Sequence, residues 1–384
     1  MADLCNSTTF HSTQHLSSAE ILTPPQVLAR IEVSVLNFLK TLTSPTNPSL
    51  TNLPLINRTH QNTKLTRDFF TQNPNSLFLS HISSKSSLTR SNGSHSFIRI
   101  WKVMEICYQI VLKGKLVTQR ELYYKLISTS PEYFNSQVQV NKTVQDVISL
   151  LKCSRQSLGI MASSRGLIAG RVILEDVEKD EVIDCSLCGS SGYCITGDLN
   201  LLSKLVIKSD ARYVIVVEKH AIFQRLAEDR IFNQIPCILI TAKGYPDLAT
   251  RFLLHKISRC YPNLPILGLV DWNPAGLAIL CTFKFGSIGM GLEAYRYACD
   301  IKWLGLRADD LELIPEESLV PLKARDVKVA KSLKGSEMLQ DGYKQELELM
   351  VRSYQRAELE ALYFHGYDFL GKFIANKIVQ KDYI

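Results

Sequence analysis

The chain has 384 residues, room for two or three domains of the usual size of about 100–200 residues. Hydrophobic residues make up 46% and charged residues 21%, which is ordinary for a soluble globular enzyme, and no apolar run is long enough to span a bilayer. The net charge of +7 is compatible with a polyanionic partner but does not identify one. Without a basic segment and apolar core at the N-terminus, and with scattered cysteines, we expect a reduced cytosolic or nuclear protein rather than a secreted one.

The first 95 residues are expected to form an N-terminal extension. Within it, residues 24–42 carry apolar side chains at helical spacing, which predicts a single amphipathic helix. Residues 80–96 are rich in Ser, Thr and Asn, a composition that buries little apolar surface and predicts a flexible linker. Such an arm either binds a partner or is a plain tail, and both interpretations stay open.

Three amphipathic segments follow the extension. Helices are predicted over residues 97–114, 118–130 and 140–160. Thr118 stands at the start of the second helix and Glu121 lies three residues further on, which is the spacing of a capping box. The three segments together predict a compact helical unit.

The short apolar segments after the third helix extend this prediction. They favour a helix-turn-helix domain with a β-wing, that is, a winged-helix DNA-binding domain, over residues 96–170. A purely structural helical bundle fits the same helices equally well. Residues 171–205 alternate short apolar segments with turn residues and predict a β-rich connection.

Residues 206–384 alternate near-continuous apolar segments with amphipathic ones. Strands are predicted at 212–218, 237–241, 265–271 and 301–306. Helices are predicted at 219–230, 246–260 and 274–286, and a charged helical stretch at 337–380. This alternation predicts an α/β domain with a parallel, Rossmann-like sheet that is covered by helices on both faces.

Polar residues stand where three of these strands end. Glu218 closes the first strand, Lys243 and a glycine follow the second, and Asp271 closes the third with Asn273 two residues beyond. Ligands of an open parallel sheet collect at the carboxyl ends of its strands, so these side chains should face one crevice. Carboxylate and amide oxygens suit Mg²⁺, which can offset phosphate charge in phosphoryl transfer. Taken singly, each acid could equally cap the helix that follows it.

Arg120 and Tyr124 lie four residues apart, hence on one face of the second predicted helix. A phenol has a pKa near about 10 and needs help to act as a nucleophile at neutral pH. A guanidinium one turn away can favour the phenolate and contact a scissile phosphate. The alternative is a stacked surface pair, with Tyr123 or Tyr124 belonging to the core.

Four segments together resemble the meiotic double-strand-break transesterases, the eukaryotic relatives of the topoisomerase VI A-type protein. They are R-E-L-Y-Y at 120–124, S-L-G-I-M-A-S-S-R-G-L-I-A-G at 157–170, V-V-E-K-H-A-I-F-Q-R-L at 216–226 and K-G-Y-P-D-L-A-T-R at 243–251. The resemblance runs from about Phe97 to the C-terminus and is greatest to the second paralogue of plants. It implies a winged-helix domain followed by a Toprim domain.

The resemblance assigns roles to residues of this chain. It implies that Tyr124, not Tyr123, is the nucleophile, and that Glu218 and Asp271 are linked to the metal. It implies DNA contacts by Arg165, Lys243, Tyr245 and Arg251. The metal loop of the family usually reads D-x-D, whereas this chain has Asn273 at the last position, an oxygen ligand without charge.

The resemblance also implies a reaction and its partners. Tyr124 would attack a DNA phosphate, leaving a 5′-phosphotyrosyl link and a free 3′-hydroxyl, with Mg²⁺ as the cofactor. Two chains are needed to cut both strands of double-stranded DNA, as a homodimer or as a heterodimer with a paralogous A-type subunit. In the family, the metal site of one subunit serves the tyrosine of the other. A topoisomerase VI B-like subunit would use ATP, because this chain has no G-x-x-x-x-G-K-[ST] loop. We expect no membrane association and a nuclear location.

Three other functions remain to be weighed. A DNA-binding scaffold without cleavage activity, paired with an active paralogue, would tolerate Asn273 in the metal loop. Another Toprim enzyme, such as a primase or nuclease, would not need the tyrosine helix. A Rossmann-like enzyme for a small molecule would need a glycine-rich loop after its first strand, which V-V-E-K-H-A-I-F lacks.

Overall fold

The computed structural model describes residues 16–43, 52–68, 73–80, 83–87, 91–336 and 339–384. The chain divides into two compact units. The first consists of the described residues within Met1–Asp68, Asn75–Ala162 and Ser287–Tyr295. The second consists of the described residues within Phe69–Pro74, Ser163–Gly286 and Arg296–Ile384.

The first unit combines four helices with short strands in its described part. The helices are α1 (Pro24–Thr43), α2 (Ser91–Leu112), α3 (Gln119–Thr129) and α4 (Gln137–Leu151). The strands are β1 (Leu16–Ser17), β2 (Asn52–Ile56), β3 (Thr63–Asp68), β4 (Asn73–Ser80), β5 (Ser83–Ser87), β6 (Val117–Thr118) and β7 (Ile160–Met161). They form small sheets in the orders β1-β4-β3, β2-β5 and β6-β7, and 3-10 turns lie at His60–Asn62 and Ile288–Met290.

The predicted N-terminal helix is confirmed, but the predicted extension is not a separate arm. Val27 and Ile31 of α1 and Leu55 of β2 are buried in one core with α2, α3 and α4. β5 pairs antiparallel with β2, and α2 begins at Ser91. The flexible linker predicted over residues 80–96 is therefore wrong for the residues described there; positions 81–82 and 88–90 lie outside them. Strand pairing orders a segment that has little apolar surface of its own.

Local signals correctly placed the tyrosine helix. The Thr118 hydroxyl accepts a hydrogen bond from the Glu121 N–H at 3.1 Å, and the Glu121 carboxylate accepts one from the Thr118 N–H at 2.6 Å. Both halves of the predicted capping box are thus present. The third predicted helix ends early, at Leu151, because Lys152 adopts a left-handed conformation with φ of 48°. The chain then turns back, and Ile160 pairs in parallel with Val117.

The second unit is built on a six-stranded main sheet, with smaller sheets beside it. The strands of the whole unit, in its described part, are β8 (Leu167–Gly170), β9 (Ile173–Asp176), β10 (Glu181–Asp184), β11 (Tyr193–Cys194), β12 (Val206–Lys208), β13 (Tyr213–Val217), β14 (Cys237–Thr241), β15 (Ile266–Leu269), β16 (Ile301–Gly305), β17 (Val320–Pro321) and β18 (Gln355–Arg356). The main sheet has the order β11-β8-β14-β13-β15-β16, and smaller sheets are β10-β9-β12 and β17-β18.

Helices surround this sheet. They are α5 (Leu199–Lys204), α6 (His220–Glu228), α7 (Ile231–Gln234), α8 (Leu248–Cys260), α9 (Pro274–Phe285), α10 (Ala324–Lys334), α11 (Asp341–Ser353) and α12 (Phe369–Val379). Shorter 3-10 turns lie at Gly189–Ser191, Ala294–Arg296, Ala308–Leu313, Glu316–Ser318 and Leu359–His365. The single charged stretch predicted over residues 337–380 is thus divided into α11, a 3-10 turn and α12.

The predicted parallel sheet is confirmed for its central strands. β14, β13, β15 and β16 run parallel, and all five residues of β14 are buried, so both faces of the sheet are covered. The predicted β-wing is not confirmed by the strand pairing. β8 joins the main sheet antiparallel to β14, and β9 pairs with β10 and β12. Of these two segments, β8 has a partner distant in sequence, whereas β9 pairs with the next strand, β10, and with the more distant β12.

Candidate active site

The two strand-end acids meet at the carboxyl edge of the sheet, as predicted. β13 and β15 are parallel neighbours, so Glu218 and Asp271 leave adjacent strands. The Asp271 N–H donates a hydrogen bond to Glu218 Oε2 at 3.0 Å. From the other neighbouring strand, the Gly244 N–H donates to the Glu218 carbonyl oxygen at 2.9 Å. The three predicted strand ends therefore meet at one place on this edge, which we call the crevice.

Lys219 connects this crevice to a second pair of acids. Its ammonium lies 3.1 Å from Asp271 Oδ2 and 3.1 Å from Glu358 Oε2, and it also bonds the Glu360 carboxylate. The other carboxylate oxygen of Asp271, Oδ1, accepts a hydrogen bond from the Leu359 N–H at 2.9 Å. Each carboxylate oxygen of Asp271 thus has a partner within the protein.

Glu358 and Glu360 were not among the residues predicted from the sequence. They reach the crevice because the Ala357 N–H donates to the Trp272 carbonyl oxygen at 3.0 Å, which aligns this segment with the loop after β15. The available signal was the pair of acids two positions apart, at 358 and 360, with an apolar residue between them.

The charge state of the two strand-end acids reflects their burial. Burial raises the pKa of Glu218 to about 7, and the neighbouring Asp271 charge adds to the rise. Burial also raises the pKa of Asp271, although Lys219 opposes this change. Two hard-oxygen donors that repel each other in a poorly solvated crevice fit a divalent cation such as Mg²⁺. Among the described residues, no three His, Cys, Asp or Glu side chains form a metal-binding group.

Asn273 starts helix α9 in the structure. Its Oδ1 accepts a hydrogen bond from the Gly276 N–H at 2.8 Å, Pro274 occupies the first turn, and the side chain is only 5% exposed. A side chain on Gly276 would place Cβ 2.5 Å from the Asp271 carbonyl oxygen, so the turn requires glycine there. The predicted strand-to-helix turn is therefore present, and the amide oxygen of Asn273 is used as a helix cap. Its role as a metal ligand stays a prediction.

Three of the four predicted DNA-contact residues lie on the surface near this crevice. Arg165 is exposed and donates from Nη2 to the Tyr245 carbonyl oxygen at 3.2 Å. Tyr245 is 43% exposed, and Lys243 is exposed as well. Burial raises the pKa of Tyr245, and the nearby Arg325 guanidinium opposes this rise. Arg325 is thus a further cation near Tyr245, and it was not among the residues predicted from the sequence. These residues form a basic and aromatic rim.

The fourth, Arg251, does not belong to the rim, which corrects the prediction of a DNA contact. Its side chain is 2% exposed, and the guanidinium lies over the Tyr297 ring at 5.4 Å. Its Nε and Nη2 have no hydrogen-bond partner among the described residues, and burial lowers its pKa to about 10. Helix α8 directs this arginine into the interior, where it cannot reach DNA.

The tyrosine helix presents one of its two adjacent tyrosines to solvent. Arg120 Nη2 donates a hydrogen bond to the Tyr124 hydroxyl oxygen at 3.0 Å, and the guanidinium lies over the ring at 5.2 Å from its centre. Tyr124 is 53% exposed, whereas Tyr123 packs against the core of the first unit. Leu122 and Leu126 are buried and fix the helix to that core. The predicted pairing of Arg120 with Tyr124 is present, and Tyr124 is the more accessible phenol.

In the described part of the chain, none of the helices has the length and apolar character needed to cross a membrane.

Comparisons with known proteins match the segments that carry these residues. The family model for the Toprim domain of topoisomerase 6 A-type proteins and Spo11 matches residues 213–378, which include the strand-end acids. The model described as "Type IIB DNA topoisomerase" matches residues 95–160, which include the tyrosine helix. The two matches are independent of each other, and they follow the order of the motifs.

Individual relatives agree with the family models. The meiotic recombination protein SPO11-2 of Arabidopsis thaliana is 63% identical over 379 residues, which cover 99% of this chain and 98% of the relative. The A-type protein of DNA topoisomerase 6 from the same plant is 36% identical over 289 residues, 74% of this chain and 66% of the relative. The meiotic recombination protein SPO11 of Homo sapiens is 37% identical over 294 residues, 74% of this chain and 72% of the relative.

Proposed function

This chain belongs to the family of topoisomerase 6 A-type proteins and Spo11, and we propose that it is a DNA-cleaving transesterase that makes meiotic double-strand breaks. It acts in the nucleus, where the breaks initiate homologous recombination. The names of its relatives support the meiotic role, and the match to topoisomerase 6 proteins supports the cleavage chemistry.

The observation that carries this proposal is the bond between Arg120 and an exposed Tyr124 at the surface of a well-capped helix. The phenolic oxygen attacks a backbone phosphorus, the bond from phosphorus to the 3′ oxygen breaks, and a 5′-phosphotyrosyl link forms. The phenolic proton leaves, and the departing 3′ oxygen takes up a proton to become a hydroxyl. The planar guanidinium of Arg120 holds the Tyr124 oxygen in place and binds a phosphate oxygen.

Glu218 and Asp271 are the residues that would hold Mg²⁺, and Asn273 would add a neutral oxygen. When bound, the ion offsets negative charge on the reacting phosphate. The crevice around these residues keeps both carboxylates close, through the bond from the Asp271 N–H to Glu218. Since Asn273 already caps α9, it ligates only through an oxygen that is shared with the Gly276 N–H.

Double-stranded DNA is the proposed substrate, and its backbone is the surface that the rim recognises. Arg165 and Lys243 provide exposed cations for phosphates, and Tyr245 provides an exposed ring. Contacts to phosphates position the duplex without reading its sequence. We retain the proposal that α2–α4 form a helix-turn-helix DNA-binding unit, without the wing that the sequence predicted.

Two chains are required, because one tyrosine cuts one strand. They form a homodimer or a heterodimer with a paralogous A-type subunit, and the metal site of one chain serves Tyr124 of the other. A topoisomerase VI B-like subunit supplies the ATP-dependent step. The similarity to topoisomerase 6 proteins supports this assembly.

A second candidate is a scaffold that binds DNA beside an active paralogue without cutting it. Asn273 favours this function, because an uncharged cap stands where the family usually has an acid. The intact pair of Arg120 and Tyr124 favours cleavage instead. A primase or nuclease is not retained, because the type IIB topoisomerase model matches the tyrosine helix.

Exonuclease protection distinguishes cleavage from scaffolding. The full chain is incubated with duplex DNA, Mg²⁺ and a B-type subunit, and the reaction is stopped with detergent. We expect the broken DNA ends to resist a 5′-exonuclease, because covalently attached protein blocks them. A 3′-exonuclease should still digest the same ends. A chain that binds the duplex but blocks no 5′ ends by itself, and that is absent from the blocked ends formed when an active paralogue is added, is a scaffold.

A further inference from the structure

Lys219 lies beside the proposed metal site and contacts three acidic side chains at once. One ammonium bonds Asp271 on one side and Glu358 and Glu360 on the other, and the lysine side chain is only 22% exposed. We refer to Lys219, Glu358 and Glu360 together as the Lys219 clamp. The clamp places a protein cation against the same carboxylate that is proposed to bind Mg²⁺.

Asp271 cannot serve the lysine and a metal ion equally. Its Oδ1 accepts from the Leu359 N–H at 2.9 Å, and Oδ2 lies 3.1 Å from Lys219 Nζ. An ion that binds Oδ2 competes with the ammonium for the same lone pairs, and the two positive charges repel each other at short range. Metal binding at Asp271 therefore requires that Lys219 withdraw from it.

Glu358 and Glu360 offer the place to which Lys219 can withdraw. Their segment is fixed by the Ala357 N–H, which donates to Trp272, and by the Leu359 N–H, which donates to Asp271. Glu358 is held further by Arg356 Nη1 at 3.2 Å from its Oε1, which leaves Oε2 for Lys219. The side chains of both glutamates are partly exposed, so they keep the ammonium at the outer side of the crevice.

We propose that Glu358 and Glu360 are positioning residues that hold the Lys219 ammonium away from Asp271 when a divalent cation binds, and that they thereby set the affinity for that cation. The inference rests on the proposed metal site at Glu218 and Asp271. The glutamates act through Lys219 and do not ligate the ion themselves. Without them, Lys219 keeps its contact with Asp271 and competes with the metal more strongly.

A double-mutant cycle separates this mechanism from a simple loss of negative charge. The measured quantity is the dissociation constant for Mn²⁺, from the electron paramagnetic resonance signal of the free ion, with the purified full chain. Glu358→Gln with Glu360→Gln should weaken Mn²⁺ binding by about tenfold in the natural background. In a Lys219→Met background the same pair of changes should alter it by less than about twofold, because no ammonium remains to be held.

The control pair is Glu316→Gln with Glu317→Gln, two exposed acids of the same unit that are not among the ion-pair partners of Lys219 in the described residues. This pair should leave Mn²⁺ binding unchanged. Thermal midpoints report folding of each variant, and Lys219→Gln replaces Lys219→Met if the methionine variant does not fold.

Each outcome decides a different claim. An equal loss of affinity in both backgrounds means that the glutamates act by charge alone, and it overturns the clamp while the metal site stands. If Asp271→Asn binds Mn²⁺ as tightly as the unmodified chain, the metal site itself is wrong, and the clamp is wrong with it.

Discussion

Arg120 donates a hydrogen bond to the hydroxyl oxygen of Tyr124 at 3.0 Å, with its guanidinium over the ring of the same tyrosine. Both side chains are exposed, so the pair contributes little to folding and is free to meet a substrate. A neighbouring tyrosine, Tyr123, faces the core instead. The helix therefore separates a structural phenol from an accessible one, and this separation supports the proposed nucleophile.

Loss of the arginine should slow cleavage without destabilising the protein. Arg120→Ala removes the hydrogen-bond donor and the cation beside the reacting oxygens, and we expect covalent attachment to DNA to slow by about 100-fold. The free energy of unfolding should change by less than about 1 kcal/mol, since the pair is on the surface. Arg120→Lys keeps the charge but not the planar fork of the guanidinium, so its rate of attachment should lie between those of the unmodified chain and Arg120→Ala. Cleavage at the unmodified rate in Arg120→Ala would show that the pair is only a surface contact.

Substitutions of the buried Arg251 should change the stability of the protein without changing its affinity for DNA. Arg251→Met replaces a poorly satisfied buried cation with an apolar side chain of similar length, so stability should be unchanged or higher. Arg251→Ala leaves a cavity and should lower the free energy of unfolding by about 3 kcal/mol. Neither variant should change the affinity of the folded protein for duplex DNA. A weaker affinity in Arg251→Met, with unchanged folding, would restore the direct contact predicted from the sequence.

The pKa of Glu218 predicts how stability changes with pH in the metal-free protein. The folded pKa of about 7 lies above the ordinary value of 4.5, so the folded state holds a proton that the unfolded state has lost. The resulting stability is complete below pH 4.5, and it is lost as the pH rises through about 7. The loss from this group is roughly 3 kcal/mol at most. Urea unfolding in chelator at pH 5, 6, 7 and 8 measures the free energy of unfolding, which should decline less with pH in Glu218→Gln than in the unmodified chain. Equal declines in the two proteins would contradict this.

The helix cap at the end of the metal loop should accept an acid. Asn273→Asp keeps an oxygen for the Gly276 N–H, and aspartate caps helices as well as asparagine does. It adds a charge next to two acids, so the metal-free protein should become less stable and Mg²⁺ should stabilise it more than it stabilises the natural chain. Asn273→Ala, which removes the cap, should cost about 1 kcal/mol without Mg²⁺, and Mg²⁺ should stabilise it less than it stabilises the natural chain because a ligand oxygen is lost as well. Weaker Mg²⁺ binding by Asn273→Asp would argue against a ligand at this position.

Features that follow from short local patterns, or from general rules for parallel sheets, were predictable from the sequence. The capping box of α3 needs only Thr118 and a glutamate three residues on, and both hydrogen bonds are present. The convergence of Glu218 and Asp271 follows from the general rule that parallel strands end at a common edge. Accordingly, the central parallel strands and the proximity of these two acids were predicted correctly.

Features that depend on distant partners were not predictable in the same way. β8 pairs with β14, some seventy positions along the chain, and no local pattern distinguishes that partner from a hairpin neighbour. Glu358 reaches Lys219 from 139 residues away, through a backbone bridge that periodicity does not encode. Arg251 reads as a surface cation, whereas the burial of its side chain depends on how α8 packs against Tyr297.

Covalent trapping with two tyrosine variants tests the central claim most directly. The unmodified chain, Tyr124→Phe and the matched control Tyr123→Phe are each denatured on duplex DNA with Mg²⁺ and the partner subunits, and protein attached to 5′ ends is quantified. We predict attachment by the unmodified chain and by Tyr123→Phe, and none by Tyr124→Phe at equal DNA binding. Attachment by Tyr124→Phe at the level of the unmodified chain would contradict the assignment of Tyr124 as the nucleophile.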